Sequence, residues 1–163
     1  MKTIVPALFG VLSLLAVTPA WSHAQLSPKD VSPGYAGPMQ VQIGHGCGEE
    51  ATESITLFVP SSVVAVPQDK LGWLVSSLER DGQVSEIRWF GNQLPSAESG
   101  AFVFDIVAPM TPGAVSMVVR QECASAVQVW QDQAPQSAFP IPSFTVGGAG
   151  MTMGMDGMEG MNH

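Results

Sequence analysis

Along the chain, apolar positions come in short runs, several with period two: Ile55/Leu57/Val59, Ile87/Trp89 and Phe102/Phe104/Ile106 each alternate with polar or small residues. Successive side chains of a strand point to opposite faces, so this alternation marks a sheet with one buried side. Residues 39–43, 54–59, 63–66, 73–78, 84–90, 101–107, 114–120 and 126–130 are predicted strands, and the three alternating sets are their inward faces. Turn signals stand at Pro28-Lys29-Asp30, Ser32-Pro33-Gly34, Pro60-Ser61-Ser62, Pro67-Gln68-Asp69, Asp81-Gly82 and Pro109-Met110-Thr111-Pro112-Gly113. No convincing helical stripe interrupts them, so helix is expected to be minor. Eight short strands with such punctuation predict an all-β domain, two sheets packed as an immunoglobulin-like or fibronectin-like sandwich. In the last run, if Val127 and Val129 face the core, alternation turns Gln128 and Trp130 outward.

The two ends depart from this pattern. Lys2, an apolar stretch over 4–17 and the small-residue region Pro19-Ala20-Trp21-Ser22-His23-Ala24 read as a secretory signal peptide, residues 1–22. The apolar stretch falls short of the roughly 20 residues that span a bilayer. The expected location is the periplasm or the medium, and the expected folded unit is a single domain over 23–146. Beyond it lies a low-complexity tail, 147–163, without the apolar bulk to offset its own ordering entropy and so expected to be disordered without metal.

Removing the leader leaves five cationic side chains against 14 acidic ones, a formal charge of −9. Nucleic acid and anionic lipid surfaces are excluded as partners on that balance; a cation is a natural one. The two cysteines, Cys47 and Cys123, meet an oxidising compartment after export and are expected to form a disulfide rather than grip a soft metal.

Candidate metal chemistry falls in four places. In the tail, Met151, Met153, Met155, Met158 and Met161 put five of the nine methionines within eleven residues, flanked by glycine and polar residues. Thioethers are soft ligands that suit Cu(I), and His163 adds an imidazole that also accepts Cu(II). At the other end, cleavage after Ser22 would make His23 the first residue, whose α-amine, titrating near ~8, and ring Nδ1 together form a chelate suited to Cu(II). Cleavage after Ala24 would discard that histidine and begin the chain at Gln25; the small-residue rule admits both. The third place is the loop His45-Gly46-Cys47-Gly48-Glu49-Glu50, with one imidazole and two carboxylates beside the expected disulfide. The fourth is Trp130, whose ring would sit against a cation or pack on the following Pro-rich segment.

These residues carry a resemblance. The chain resembles the YcnI-like family of exported copper-binding domains, its proteobacterial branch especially, over His23 to Trp130. The shared motifs are His23-Ala24-Gln25-Leu26-Ser27-Pro28, His45-Gly46-Cys47, Leu71-Gly72-Trp73, Glu86-Ile87-Arg88-Trp89 followed by Gly91-Asn92-Gln93-Leu94-Pro95, Ala101-Phe102-Val103-Phe104, and Gln121-Glu122-Cys123 with Trp130 downstream. The resemblance implies a cupredoxin-like or immunoglobulin-like sandwich binding Cu(II) through a single-histidine brace. It assigns the brace to His23, the neighbouring tryptophan to Trp130, and the carboxylate to Glu49 or Glu50, with His45 as the other candidate in that loop. It also favours cleavage before His23.

The function expected is therefore a non-enzymatic copper chaperone or storage protein, whose partners besides copper would be an exported copper chaperone or a membrane copper transporter. The alternatives are an oxidative copper enzyme using the same brace, for which His45 is the second histidine, and a metal-free interaction module. No Ser/His/Asp order or His-Glu-x-x-His motif supports hydrolysis.

Overall fold

Backbone hydrogen bonds along the predicted runs organise the chain into three sheets in the computed structural model, which describes residues 23–147. Twelve strands follow in order: β1 (Gln25–Ser27), β2 (Asp30–Val31), β3 (Ala36–Ile43), β4 (Thr52–Phe58), β5 (Val64–Pro67), β6 (Leu74–Arg80), β7 (Gln83–Leu94), β8 (Gly100–Val107), β9 (Gly113–Ser116), β10 (Val118–Cys123), β11 (Val127–Trp130) and β12 (Ser143–Val146). A four-stranded sheet β1-β3-β8-β5 faces a five-stranded sheet β11-β10-β4-β7-β6, and a small sheet β2-β12-β9 completes the set. There is no helix among the described residues. The all-β sandwich is as the alternation predicted.

The core lies between the two large sheets. Met39, Val41 and Ile43 of β3 and Phe102, Phe104 and Ile106 of β8 are buried, as are Ile55 and Leu57 of β4 and Ile87 and Trp89 of β7. Each set recurs at every second residue, so the three inward sets read from the sequence are the buried ones. Trp89 packs against Phe102 and Phe104, and its Nε1 donates to the Gln68 carbonyl at 3.3 Å, so the large ring is buried without an unpaired donor.

One departure has a local cause, and one predicted turn is found in place. The run 114–120 is two strands, because at Met117 the chain crosses between sheets: Ser116 pairs with Ser143 of β12, whereas Val118 pairs with Phe58 of β4. Val115, Met117 and Val119 are all buried, so the alternation passes through the corner unbroken and conceals the change of partner. The β6–β7 hairpin closes through Asp81 (φ 52°) and Gly82 (φ 77°), the pair of left-handed residues that a tight two-residue hairpin turn requires.

Cys47 and Cys123 form a disulfide with their Cα atoms 6.2 Å apart, tying the loop after β3 to the end of β10. This is the pairing expected.

Candidate functional site

Strand β1 delivers His23 to one open side of the sandwich. Gln25 pairs with Gln42 of β3, and continuing that antiparallel register by two residues sets His23 opposite Gly44. Ala24 and Leu26 are buried and anchor the strand, leaving His23 half-buried at the rim. Two grooves meet there. One is lined by Gln25, Gln42, Gly44, Ser99 and Gly100, the other by Lys29, Ser116, Asp132, Pro140 and Pro142.

Trp130 forms the inner wall of this corner. It ends β11, pairs with Val119 and shares that residue's inward face; its relative exposure is 2%, while Val127 is 53% exposed. The outward orientation expected for Trp130 is thus reversed, because β11 buries its Gln128/Trp130 side against the core and leaves Val127 outside. The indole meets Phe139 edge-on at 5.2 Å and lies 6.2 Å from the His23 ring, centroid to centroid. Its Nε1 is buried and has no hydrogen-bond partner among the described residues. A buried N–H in that condition is uncommon and is a mark of a functional or hydrated site.

The His45 loop is fixed from below by Gln121, which the sequence reading used only as part of a motif. On the inner face of β10 and fully buried, Gln121 donates through Nε2 to the His45 carbonyl at 2.9 Å and to Thr52 Oγ1 at 2.7 Å, leaving its Oε1 without a partner. His45 Nδ1 stands 2.6 Å from the Gly46 carbonyl. That contact is a hydrogen bond only when the proton is on Nδ1, which makes Nε2 the acceptor nitrogen of the neutral ring. Gly46 is required here: a Cβ would lie 1.9 Å from the Glu50 carbonyl oxygen.

The two glutamates of the loop differ. Glu49 is exposed. The Glu50 carboxylate accepts hydrogen bonds from both the Ser125 hydroxyl and the Ser125 backbone N–H, capping the β10–β11 turn, and these bonds hold it below the ordinary carboxylate range. Among the described residues no three His, Cys, Asp or Glu side chains gather where they could hold a metal ion. His23, His45 and the loop glutamates are therefore not a ready-made side-chain cage. The carboxylate that shares a groove with His23 is Asp132, two residues beyond Trp130, which the sequence reading did not single out. Met151, Met153, Met155, Met158, Met161 and His163 lie outside the described residues, as does the segment 1–22 that the sequence analysis reads as a signal peptide.

Residues 23–146, from the histidine at this rim through the last strand, match the family DUF1775, described as a domain of unknown function. The chain belongs to the DUF1775 family. Among solved structures, the DUF1775 domain is similar to an uncharacterised Nocardia farcinica protein with an immunoglobulin-like fold, at 18% identity and a TM-score of 0.66, over 76% of this chain and 97% of that one. It is also similar to the cohesin module of a family 33 glycoside hydrolase from Clostridium perfringens, at 11% identity and a TM-score of 0.50, over 77% and 96% of the two chains. These likenesses establish the immunoglobulin-like fold of the DUF1775 domain. No curated protein matches the chain.

Proposed function

We propose that this DUF1775 protein is an exported, non-enzymatic copper-binding protein of the YcnI-like kind, holding Cu(II) at His23. The observation that carries the reading is the His23 imidazole seated 6.2 Å from the buried Trp130 indole, at the meeting of two grooves. The fit to Cu(II) is chemical. A histidine made N-terminal by cleavage supplies its α-amine and Nδ1 together, and Cu(II) prefers such nitrogen and oxygen ligands. Asp132, which lines a groove with His23, is the further ligand this reading assigns first, with the carboxylates of Glu49 and Glu50 and the imidazole of His45 after it.

The Cys47–Cys123 disulfide supports an oxidising compartment, periplasmic or secreted. The Met-rich tail would take Cu(I), and the partner would be another exported copper chaperone or a membrane copper transporter. A carrier is favoured over an oxidative enzyme because His23 is the one histidine among the residues lining these grooves.

The deciding experiment is the intact mass and N-terminal sequence of the protein exported by its native host, with and without Cu(II). A chain beginning at His23 that retains one Cu(II), lost in His23→Ala, is the expected result. A chain beginning at Gln25, or one beginning at His23 that retains no Cu(II), overturns it.

A further inference from the structure

Three methionines stand among the described residues, and their surroundings divide them. Met39 and Met117 are core residues, each 1% exposed, whereas Met110 is 75% exposed. Methionine ordinarily fills gaps in a core, so burial accounts for the first two and leaves the third without a packing role. What Met110 offers to solvent is a thioether, a soft donor of the kind that selects Cu(I).

The place of its sulfur is set by the backbone beneath it. Met110 lies in the loop between β8 and β9, whose base is tied twice to the segment before β3. The Gly34 N–H donates to the Pro109 carbonyl at 3.1 Å, and the Ala108 N–H donates to the Tyr35 carbonyl at 2.8 Å. Gly34 takes φ 68°, and a β-carbon there would stand 2.6 Å from the Met110 sulfur. The thioether therefore rests on bare main chain, and most of the side chain is open to solvent.

The same loop marks where the Met-rich tail leaves the domain. Gly113 pairs with Val146 at the end of β12, and the Pro112 ring comes within 3.2 Å of where a Gly147 β-carbon would stand. The Gly147 N–H donates to the Val31 carbonyl at 2.8 Å, which fixes the point of departure. Met110 is two residues from Pro112, at most about 7 Å along the chain. The first tail thioether, Met151, is four residues beyond Gly147, a span of up to about 14 Å, and Met153 lies two residues further. Both come within reach of the Met110 sulfur.

Resting on the proposal that the tail takes Cu(I), we infer that Met110 is a fixed thioether of a Cu(I) site completed by Met151 and Met153. The metal is then held against the folded domain rather than by the tail alone. A ligand already placed by the fold needs less ordering, and a short connection keeps the tail thioethers at high effective concentration beside it. This site is separate from that of His23. Ser143, at the other end of β12, lines the His23 groove, and four residues of strand put about 10 Å between the two ends.

The test uses the full exported chain, isotope-labelled in its methionine methyl groups and titrated with Ag(I), a soft and air-stable stand-in for Cu(I). At the first equivalent the Met110 methyl signal, identified by its absence in Met110→Leu, should move together with those of Met151 and Met153, while Met39 and Met117 stay in place. Met110→Leu removes the sulfur and keeps an apolar surface side chain. In anaerobic competition with a chromophoric Cu(I) chelator it should weaken the tightest site by roughly tenfold or more, with the wild-type melting temperature retained. A Met110 signal that stays in place while the tail signals move, or wild-type affinity in Met110→Leu, overturns the inference and leaves the tail reading standing. Tail signals that do not move overturn both.

Discussion

The imidazole of His23 lies 6.2 Å from the indole of Trp130, the two rings tilted by 55°, although 107 residues separate them in sequence. A paramagnetic Cu(II) held by His23 would therefore sit beside one particular indole of the three in the described domain. Titrating the chain that begins at His23 with Cu(II) is expected to quench tryptophan emission, and the quenching should vanish in His23→Ala and largely vanish in Trp130→Phe. Quenching unchanged by both substitutions would mean that the metal binds elsewhere.

Asp132 and Glu50 separate ligation from structure. Asp132 shares a groove with His23, whereas Glu50 is occupied with Ser125. Asp132→Asn is expected to weaken Cu(II) binding by roughly tenfold or more, since losing even an outer hydrogen-bonding partner of a metal ligand costs about 10–100-fold. Glu50→Gln should leave Cu(II) affinity within a factor of about two and lower the melting temperature instead. Isothermal titration and thermal melts of both variants check this; an Asp132→Asn variant with wild-type affinity would return the carboxylate role to the loop.

The disulfide closes a loop of 76 residues between Cys47 and Cys123. Restricting an unfolded chain over that length is worth about 4 kcal/mol in the chain-entropy treatment. The Cys47→Ser/Cys123→Ser double variant is expected to lose about 3–4 kcal/mol in urea unfolding, and a loss under about 1 kcal/mol would show that the loop is held mainly by Gln121.

Two carboxyl groups make the fold acid-sensitive. Glu122 accepts a hydrogen bond from Ser54 and lies 2.9 Å from both Arg120 and Arg88, which together hold it below the ordinary glutamate value of 4.5; Ser125 does the same for Glu50. A depressed value in the folded state contributes stability that is complete above 4.5 and is lost as pH falls through the folded-state value. Melting temperature is expected to be flat above that point and to drop below it, with a shallower drop in Glu122→Gln. An equal drop in the variant would remove Glu122 from the explanation.

Gly46 has no room for a side chain, since its Cβ would meet the Glu50 carbonyl oxygen at 1.9 Å and the Ser96 Cα at 3.0 Å. Both neighbours are backbone and cannot turn aside. Gly46→Ala is expected to cost about 2 kcal/mol or more in chemical denaturation and to move the His45 loop, visible in the His45 ring resonances. Wild-type stability would mean that the loop adopts another conformation.

The alternation of apolar residues determined the all-β class and the inward faces of β4, β7 and β8, because period two is a local property of a strand. Two cysteines, with residues 1–22 read as an export signal, were enough to anticipate their pairing. Sequence also marked His23, through its place after the apolar stretch 4–17, and the methionines of the tail. What it did not determine was anything that depends on which strand neighbours which. Trp130 and Val127 are both apolar and both compatible with either face of β11; only the docking of that strand at the β10 edge, with Phe139 and His23 closing over it, decided that the tryptophan goes inside. The sheet change at Met117, the hold of Gln121 on His45, the commitment of Glu50 to Ser125 and the groove that His23 and Asp132 both line likewise join segments far apart in the chain. Their partners are chosen by three-dimensional packing, which leaves no periodic signature in the segments themselves.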